Sequence, residues 1–133
     1  MNCHEMMQMP ELQGVMNLRA GEKGLDNSIR WIYFADCLQC IGDVRRLGAM
    51  IGIELVKDTE SKEPATELTA KLIENAMQKG LLLESCGTAS NTIRFLAPLV
   101  MTDEQMARGL EIFEEALREA MDSEGLLKET KTA

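Results

Sequence analysis

The sequence predicts an α+β fold, a two-layer sandwich in which a largely antiparallel four-stranded sheet carries helices on one face. Three observations predict it. Between residues 41 and 122, strand-like and helix-like patterns follow the order strand, strand, helix, strand, strand, helix. Two apolar stripes recur at helical spacing: Leu68, Leu72, Ile73, Ala76 and Met77, then Met106, Leu110, Phe113, Leu117 and Met121. The strand candidates between them are short and bounded by Gly, Pro and Asn, as hairpin strands are.

Each element has a local reason. Val44–Gly48 and Ala49–Val56 read as two antiparallel strands joined or bent at Arg46-Leu47-Gly48. In the second, Ile51, Ile53 and Leu55 alternate, so Glu54 faces outward. Asp58–Glu63 is a charged loop, and Pro64 suits the first helical turn, where its missing N–H costs nothing. Gly80 ends that helix, because a left-handed cap is easiest for glycine. Leu81–Leu83 and Thr92–Leu96 read as two further strands around a loop containing Gly87 and Asn91, and Pro98 fits a strand end. Thr102 and Gln105 form a capping box for the last helix, with Met101 and Met106 as its hydrophobic staple. On that helix Glu114 and Arg118 stand four apart on a more polar face.

The chain therefore divides into an irregular segment 1–40, a folded domain 41–122 and a polar tail 123–133. Pro10, Gly14, Gly21 and Gly24 punctuate the first segment, where only Trp31–Ala35, with Ile29 before it and Leu38 beyond, is apolar enough to dock on something. The length of 133 residues suits one domain with a real core, and with five aromatic residues that core must be mostly aliphatic.

A net charge of -8 argues against nucleic acid and anionic membranes as partners, since both demand clustered Lys and Arg. No apolar run reaches the ~20 residues of a membrane span, and the N-terminus lacks the basic and apolar regions of a secretory signal. The expected location is the cytoplasm. Cys37-Leu-Gln-Cys40 with Cys3-His4 has the residue types of a tetrahedral zinc site. Adjacency of Cys3 and His4 strains their convergence on one ion, so the expected state is reduced thiols without metal. The acidic residues Glu111, Glu114, Glu115 and Glu119 avoid the apolar stripe and read as a solvated helix face. With one histidine in the chain, a nucleophilic Ser-His or Cys-His system is not expected.

Arg94 is the candidate binding residue. It lies between Ile93 and Phe95 in a strand, so it points to the opposite face from them. There it can fork onto a carboxylate with two parallel hydrogen bonds, or simply pair with a neighbouring Glu.

Two segments carry a family resemblance. They are Ile41-Gly-Asp-Val-Arg-Arg-Leu-Gly-Ala-Met-Ile-Gly-Ile-Glu-Leu-Val-Lys-Asp58 and Gly80-Leu-Leu-Leu-Glu-Ser-Cys-Gly-Thr-Ala-Ser-Asn-Thr-Ile-Arg-Phe-Leu-Ala-Pro-Leu99. Together they resemble the C-terminal small domain of class III pyridoxal-phosphate aminotransferases, of the 4-aminobutyrate type. The resemblance implies that Arg94 binds the substrate's α-carboxylate and that Ser85-Cys86-Gly87-Thr88 lies near the substrate pocket. It also implies amino-group transfer from an ω-amino acid to 2-oxoglutarate through pyridoxal phosphate in a full-length enzyme. The Schiff-base lysine, the aspartate at the pyridine nitrogen and the phosphate loop belong to a large domain outside this sequence. None of Lys23, Lys57, Lys62, Lys71, Lys79, Lys128 and Lys131 matches the lysine motif. The chain alone is thus expected to bind no cofactor and to hold no catalytic residue. Its expected partners are an amino or keto acid, a large-domain chain and further copies of itself. The alternative readings are a stand-alone carboxylate- or partner-binding module and a truncated relic. Two departures stand out. Arg46 replaces the first glycine of the usual Val-Arg-Gly-x-Gly, which costs about 1 kcal/mol or more if that site needs a positive φ. Ala97-Pro98 replaces Pro-Pro, and residues 1–40 match the family's preceding segment only near their end.

Overall fold

The computed structural model describes residues 39–47 and 50–126. Its elements are β1 (Ile41–Leu47), β2 (Met50–Leu55), α1 (Thr66–Gln78), β3 (Glu84–Cys86), β4 (Thr92–Leu96) and α2 (Asp103–Ser123). The strands form one four-stranded sheet in the order β1-β2-β4-β3, every neighbouring pair antiparallel. This is the predicted α+β architecture.

Alternation along the strands decides which face the helices cover. Ile51, Ile53 and Leu55 of β2 and Ile93 and Phe95 of β4 are buried, in one core cluster with Leu68, Leu72 and Ala76 of α1 and Leu110, Phe113, Ala116, Leu117, Ala120 and Met121 of α2. Each fully buried Leu, Ile or Phe here contributes roughly 1.5–3 kcal/mol relative to leaving it in water. Phe95 and Phe113 meet edge to face across the two layers, with centroids 5.4 Å apart and planes at 74°. The helices are joined at their backs. Asn75 Nδ2 donates to the Ala116 carbonyl at 3.3 Å, and Lys79 bridges Glu119 at 2.9 Å and Glu115 at 3.0 Å. Those hydrogen bonds, to Glu119 first and Glu115 next, hold the Lys79 ammonium above its ordinary range.

Both helices stop as glycine caps dictate. Gly80 has φ of +92° and Gly125 of +67°. After α1, Leu81 N–H donates to the Ala76 carbonyl (2.9 Å) and Gly80 N–H to that of Met77 (3.1 Å); after α2, Leu126 and Gly125 do the same to Met121 (2.8 Å) and Asp122 (3.0 Å). Each is a Schellman motif that satisfies two otherwise orphaned carbonyls. At the start of α2 the predicted capping box is complete: Gln105 N–H donates to Thr102 Oγ1 at 3.2 Å, and Thr102 N–H to Gln105 Oε1 at 3.0 Å. Glu114 and Arg118 pair as their spacing suggested, Nη2 to Oε1 at 3.0 Å.

Several local expectations need correction. The third strand is Glu84–Cys86, not Leu81–Leu83, because Leu81 is spent in the helix cap and Leu82 is exposed. Pro64 precedes the helix and bridges Val56, while Ala65 N–H donates to the Leu55 carbonyl, so the chain stays extended until Thr66. Met77 lies off the stripe and is 56% exposed; Thr69 takes the buried place instead, its hydroxyl satisfied by the Ala65 carbonyl at 2.8 Å. Arg46 pairs with Ile51 inside β1. The position therefore lies within the strand ladder rather than in the turn. The hairpin tip at Gly48 and Ala49, the run Trp31–Ala35, Cys3, His4 and Cys37, and the tail beyond Leu126 lie outside the described residues.

Candidate functional site on the open sheet face

The face opposite the helices is assembled by strand register, one row of residues at a time. At one end Leu47 stands opposite Met50, and Met50 opposite Leu96. The middle row runs Arg45, Gly52, Arg94, Glu84, and the far row Asp43, Glu54, Thr92, Cys86. Neighbours in a row are ~4.8 Å apart, the strand spacing, so Arg45 and Arg94 flank Gly52 on either side. A Cβ at Gly52 would touch only Thr92 Cγ2, at 3.6 Å. The glycine thus leaves a shallow gap in the row rather than filling a tight contact.

Arg94 points where alternation places it. Ile93 and Phe95 are buried in the core, while the Arg94 side chain is 46% exposed on the open face. Its Nη2 donates to Glu84 Oε2 at 2.7 Å. Arg45 is held by two carboxylates, its Nη1 lying 3.1 Å from both Asp43 Oδ2 and Glu54 Oε2. Arg45, Gly52 and Glu84 did not emerge from the sequence as members of this site. Their signal was available only through register, which no single strand reveals.

The loop beside Arg94 is ordered by its own turn. Gly87 takes φ of +84° and Ser90 of +52°, Ser90 N–H donates to the Gly87 carbonyl, and buried Asn91 ties the loop to β2 by donating to the Leu55 carbonyl at 2.8 Å. Thr66 Oγ1 donates to the Ala89 carbonyl at 2.7 Å, fixing the loop to the start of α1.

Of the Cys and His residues that the sequence offered as metal ligands, Cys40 is the one among the described residues. Cys40 is buried, its Sγ donating to Met121 Sδ at 3.4 Å, and desolvation pushes its thiol up to about 12. Among the described residues no group of His, Cys, Asp and Glu is arranged to hold a metal, and no helix is long and apolar enough to cross a membrane. The four described lysines are engaged elsewhere: Lys57 with Glu63, Lys62 with the Gly42 carbonyl, Lys71 with Glu74 and Lys79 with α2. None of them belongs to the rows around Arg94. A cofactor that must form a Schiff base with lysine therefore does not fit the described residues by themselves.

The family model of the class-III aminotransferases matches residues 17–117. The chain belongs to the class-III aminotransferases. This family's match starts upstream of β1, within the segment that reads as irregular. Over 80 residues the chain is 49% identical to the 4-aminobutyrate aminotransferase of Escherichia coli, covering 60% of this chain and 19% of that protein. It is 48% identical over 79 residues to the 5-aminovalerate aminotransferase of Pseudomonas aeruginosa, covering 59% of this chain and 18% of the relative. Among solved structures it superposes on a phospholyase from Arthrobacter in complex with phosphoethanolamine, with a TM-score of 0.68 and 28% identity over 80% of this chain and 25% of that one. The chain thus spans about a fifth of the length of the curated relatives it matches. The solved structures that the chain resembles include a phospholyase as well as transaminases, so the fold of the described residues does not by itself specify the reaction.

Proposed function

We propose that this chain is the C-terminal portion of a 4-aminobutyrate-type aminotransferase, and that Arg94 takes the carboxylate of its substrates. The observation that carries the reading is the position of Arg94: a half-exposed guanidinium on the sheet face opposite the helices, with a residue lacking a side chain beside it, in the middle of an apolar strand. The relatives named above act on 4-aminobutyrate and 5-aminovalerate by their names. Those compounds, and the 2-oxo acid that would accept the amino group, share a carboxylate. A planar fork is the group best matched to it.

In this reading the amino group moves from an ω-amino acid to 2-oxoglutarate. Pyridoxal phosphate, held by the rest of the enzyme, supplies the electron sink. The residues of this chain bind and orient the substrate. Arg94 fixes one end of the molecule, and the ordered loop from Ser85 to Asn91 forms the wall beside it. The apolar row Leu47, Met50 and Leu96, all exposed, is the surface we assign to contact with the remainder of such an enzyme or, in its absence, with a second copy of the chain. The setting is the cytoplasm.

The test is activity of the chain alone. With added pyridoxal phosphate and 2-oxoglutarate it leaves 4-aminobutyrate unconverted. Conversion that disappears in Arg94→Ala would contradict the reading of this chain as one portion of the catalyst. A second reading, a stand-alone carboxylate-binding module, is favoured by the same exposed Arg94, and it requires a stably folded chain that binds 2-oxoglutarate through Arg94 with no further polypeptide present.

A further inference from the structure

We propose that a second copy of this chain docks along β1, strand edge to strand edge about a twofold axis at Val44, and that Asp43 and Arg45 fix the register by pairing across the contact. The contact does not depend on what Arg94 binds.

The strand order leaves two sheet edges. β3 is three residues long and offers little to pair with, whereas β1 has seven, and among the described residues only β2 is hydrogen-bonded beside it. The ladder fixes which backbone groups of β1 face outward. Leu55 N–H donates to the Asn91 carbonyl, on the β4 side of β2. Backbone direction alternates along a strand, so Glu54, Gly52 and Met50 turn toward β1 and bond their partners Asp43, Arg45 and Leu47. Val44 and Arg46 then turn their N–H and carbonyl groups away from β2. Such a row is a template for another strand, and folded proteins commonly guard it with a bulge or a lysine. Here both devices sit at the start of β1: the ladder is irregular between Ile41 and Asp43, and Lys62 Nζ donates to the Gly42 carbonyl at 2.6 Å. Among the described residues neither device reaches Val44 or Arg46.

Charge selects the partner and the register. A twofold axis through a residue of β1 sets side chains of one face opposite one another. Through Val44 it places Asp43 opposite Arg45 of the second copy and Arg45 opposite its Asp43, with the whole strand overlapping. Moved one residue either way, the axis sets Asp43 against Asp43 or Arg45 against Arg45. Opposite charges facing across antiparallel strands stabilise, and like charges directly opposite destabilise. Both side chains are accessible for this, Asp43 at 49% and Arg45 at 59% exposed. Arg45 already bridges Asp43 and Glu54 of its own chain, so the second copy extends an existing network. The same register lets the outward groups of Val44 bond those of Val44 in the copy, with Arg46 facing Gly42. Specificity here works through repulsion in the wrong registers as well as attraction in the right one.

The experiment follows the full 133-residue chain over a range of concentrations by sedimentation equilibrium and by amide hydrogen exchange. The mass rises from one chain toward two, and exchange at Val44 and Arg46 slows in step, while Asp43, Arg45 and Leu47, bonded to β2, change little. Asp43→Lys and Arg45→Glu each put like charges opposite one another at both ends of the contact and weaken association by about tenfold. The double variant keeps the net charge of the unaltered chain and restores the opposed pairs, so its association returns to within about twofold. Slow exchange at Leu47 in each variant shows that β1 is formed. Exchange at Val44 and Arg46 that is independent of concentration overturns the proposal, whether fast, as at an open edge, or slow, as under residues 1–38 of the same chain. A dimer that both single variants leave intact also overturns it and moves the contact to the Leu47, Met50 and Leu96 row. Failure of the double variant to recover overturns the register. Fast exchange throughout β1 overturns the proposal as well, since the ladder that a second copy would extend is then absent.

Discussion

Gly42→Ala is the substitution whose cost the structure specifies most closely. Gly42 lies at the irregularity in the β1–β2 ladder between Ile41 and Asp43, and its φ is outside the left-handed region, so alanine meets no backbone objection. Space is the objection. A Cβ would lie 2.6 Å from Val56 Cγ1, 3.0 Å from Cγ2 and 3.4 Å from Cβ. Val56 is fully buried and β-branched, so it cannot swing its methyls away cheaply. Overpacking of this kind costs about 1–3 kcal/mol. Val56→Ala alone deletes two buried methyl groups and costs about 2 kcal/mol. In that background the obstructing atoms are gone, and Gly42→Ala becomes neutral or stabilises by a few tenths of a kcal/mol through the unfolded chain. Urea unfolding followed by circular dichroism on the four chains completes the cycle. The account requires a coupling energy of roughly 1–3 kcal/mol. Additive losses, or a neutral Gly42→Ala in the unaltered background, would refute the close approach.

Two further outcomes follow from the capping and the core. Thr102→Ala removes the acceptor for Gln105 N–H and lowers stability by about 1 kcal/mol, a fall in Tm of ~4–8 °C for a domain of this size by calorimetry; an unchanged Tm would mean that the start of α2 is held by other contacts. The Cys40 thiol, raised from 9.0 to about 12 by burial, favours the folded chain fully below the unfolded value. That contribution is lost as pH rises from about 9 to about 12, and the limit is about 4 kcal/mol. Cys40→Ala flattens the fall of stability with pH over that window, as urea midpoints at pH 8, 9 and 10 report; parallel slopes would show that the thiol ionises freely when folded.

Much of the fold was legible because its signals are local. The α2 stripe, its capping box and the glycine stop at Gly80 are written in adjacent residues, and all three appear as expected. The alternation in β2 and β4 likewise assigned Ile51, Ile53, Leu55, Ile93 and Phe95 to the core and Arg94 to the other face. The third strand was misplaced for a physical reason. Leu81–Leu83 is apolar enough to suggest a strand, but the pairing partner of β4 is the polar segment Glu84–Cys86, chosen by backbone hydrogen bonding at a sheet edge rather than by burial. Pro64 misled in the same way: Ala65 N–H is used by Leu55 before the helix begins. Arg94 was visible as a candidate, whereas Arg45, Gly52 and Glu84 became its neighbours only through the order β1-β2-β4-β3, in which β4 is inserted between β2 and β3.

The most direct test of the central claim is a two-dimensional amide spectrum of the chain titrated with 2-oxoglutarate, with Arg94→Lys in parallel. The account predicts dispersed resonances, with shifts concentrated at Gly52, Glu84 and Thr92–Leu96, and a loss of most of the response in Arg94→Lys, because an ammonium cannot present the planar fork. A folded chain whose shifts ignore 2-oxoglutarate, or follow it identically in Arg94→Lys, would contradict the assignment of Arg94 as the carboxylate anchor.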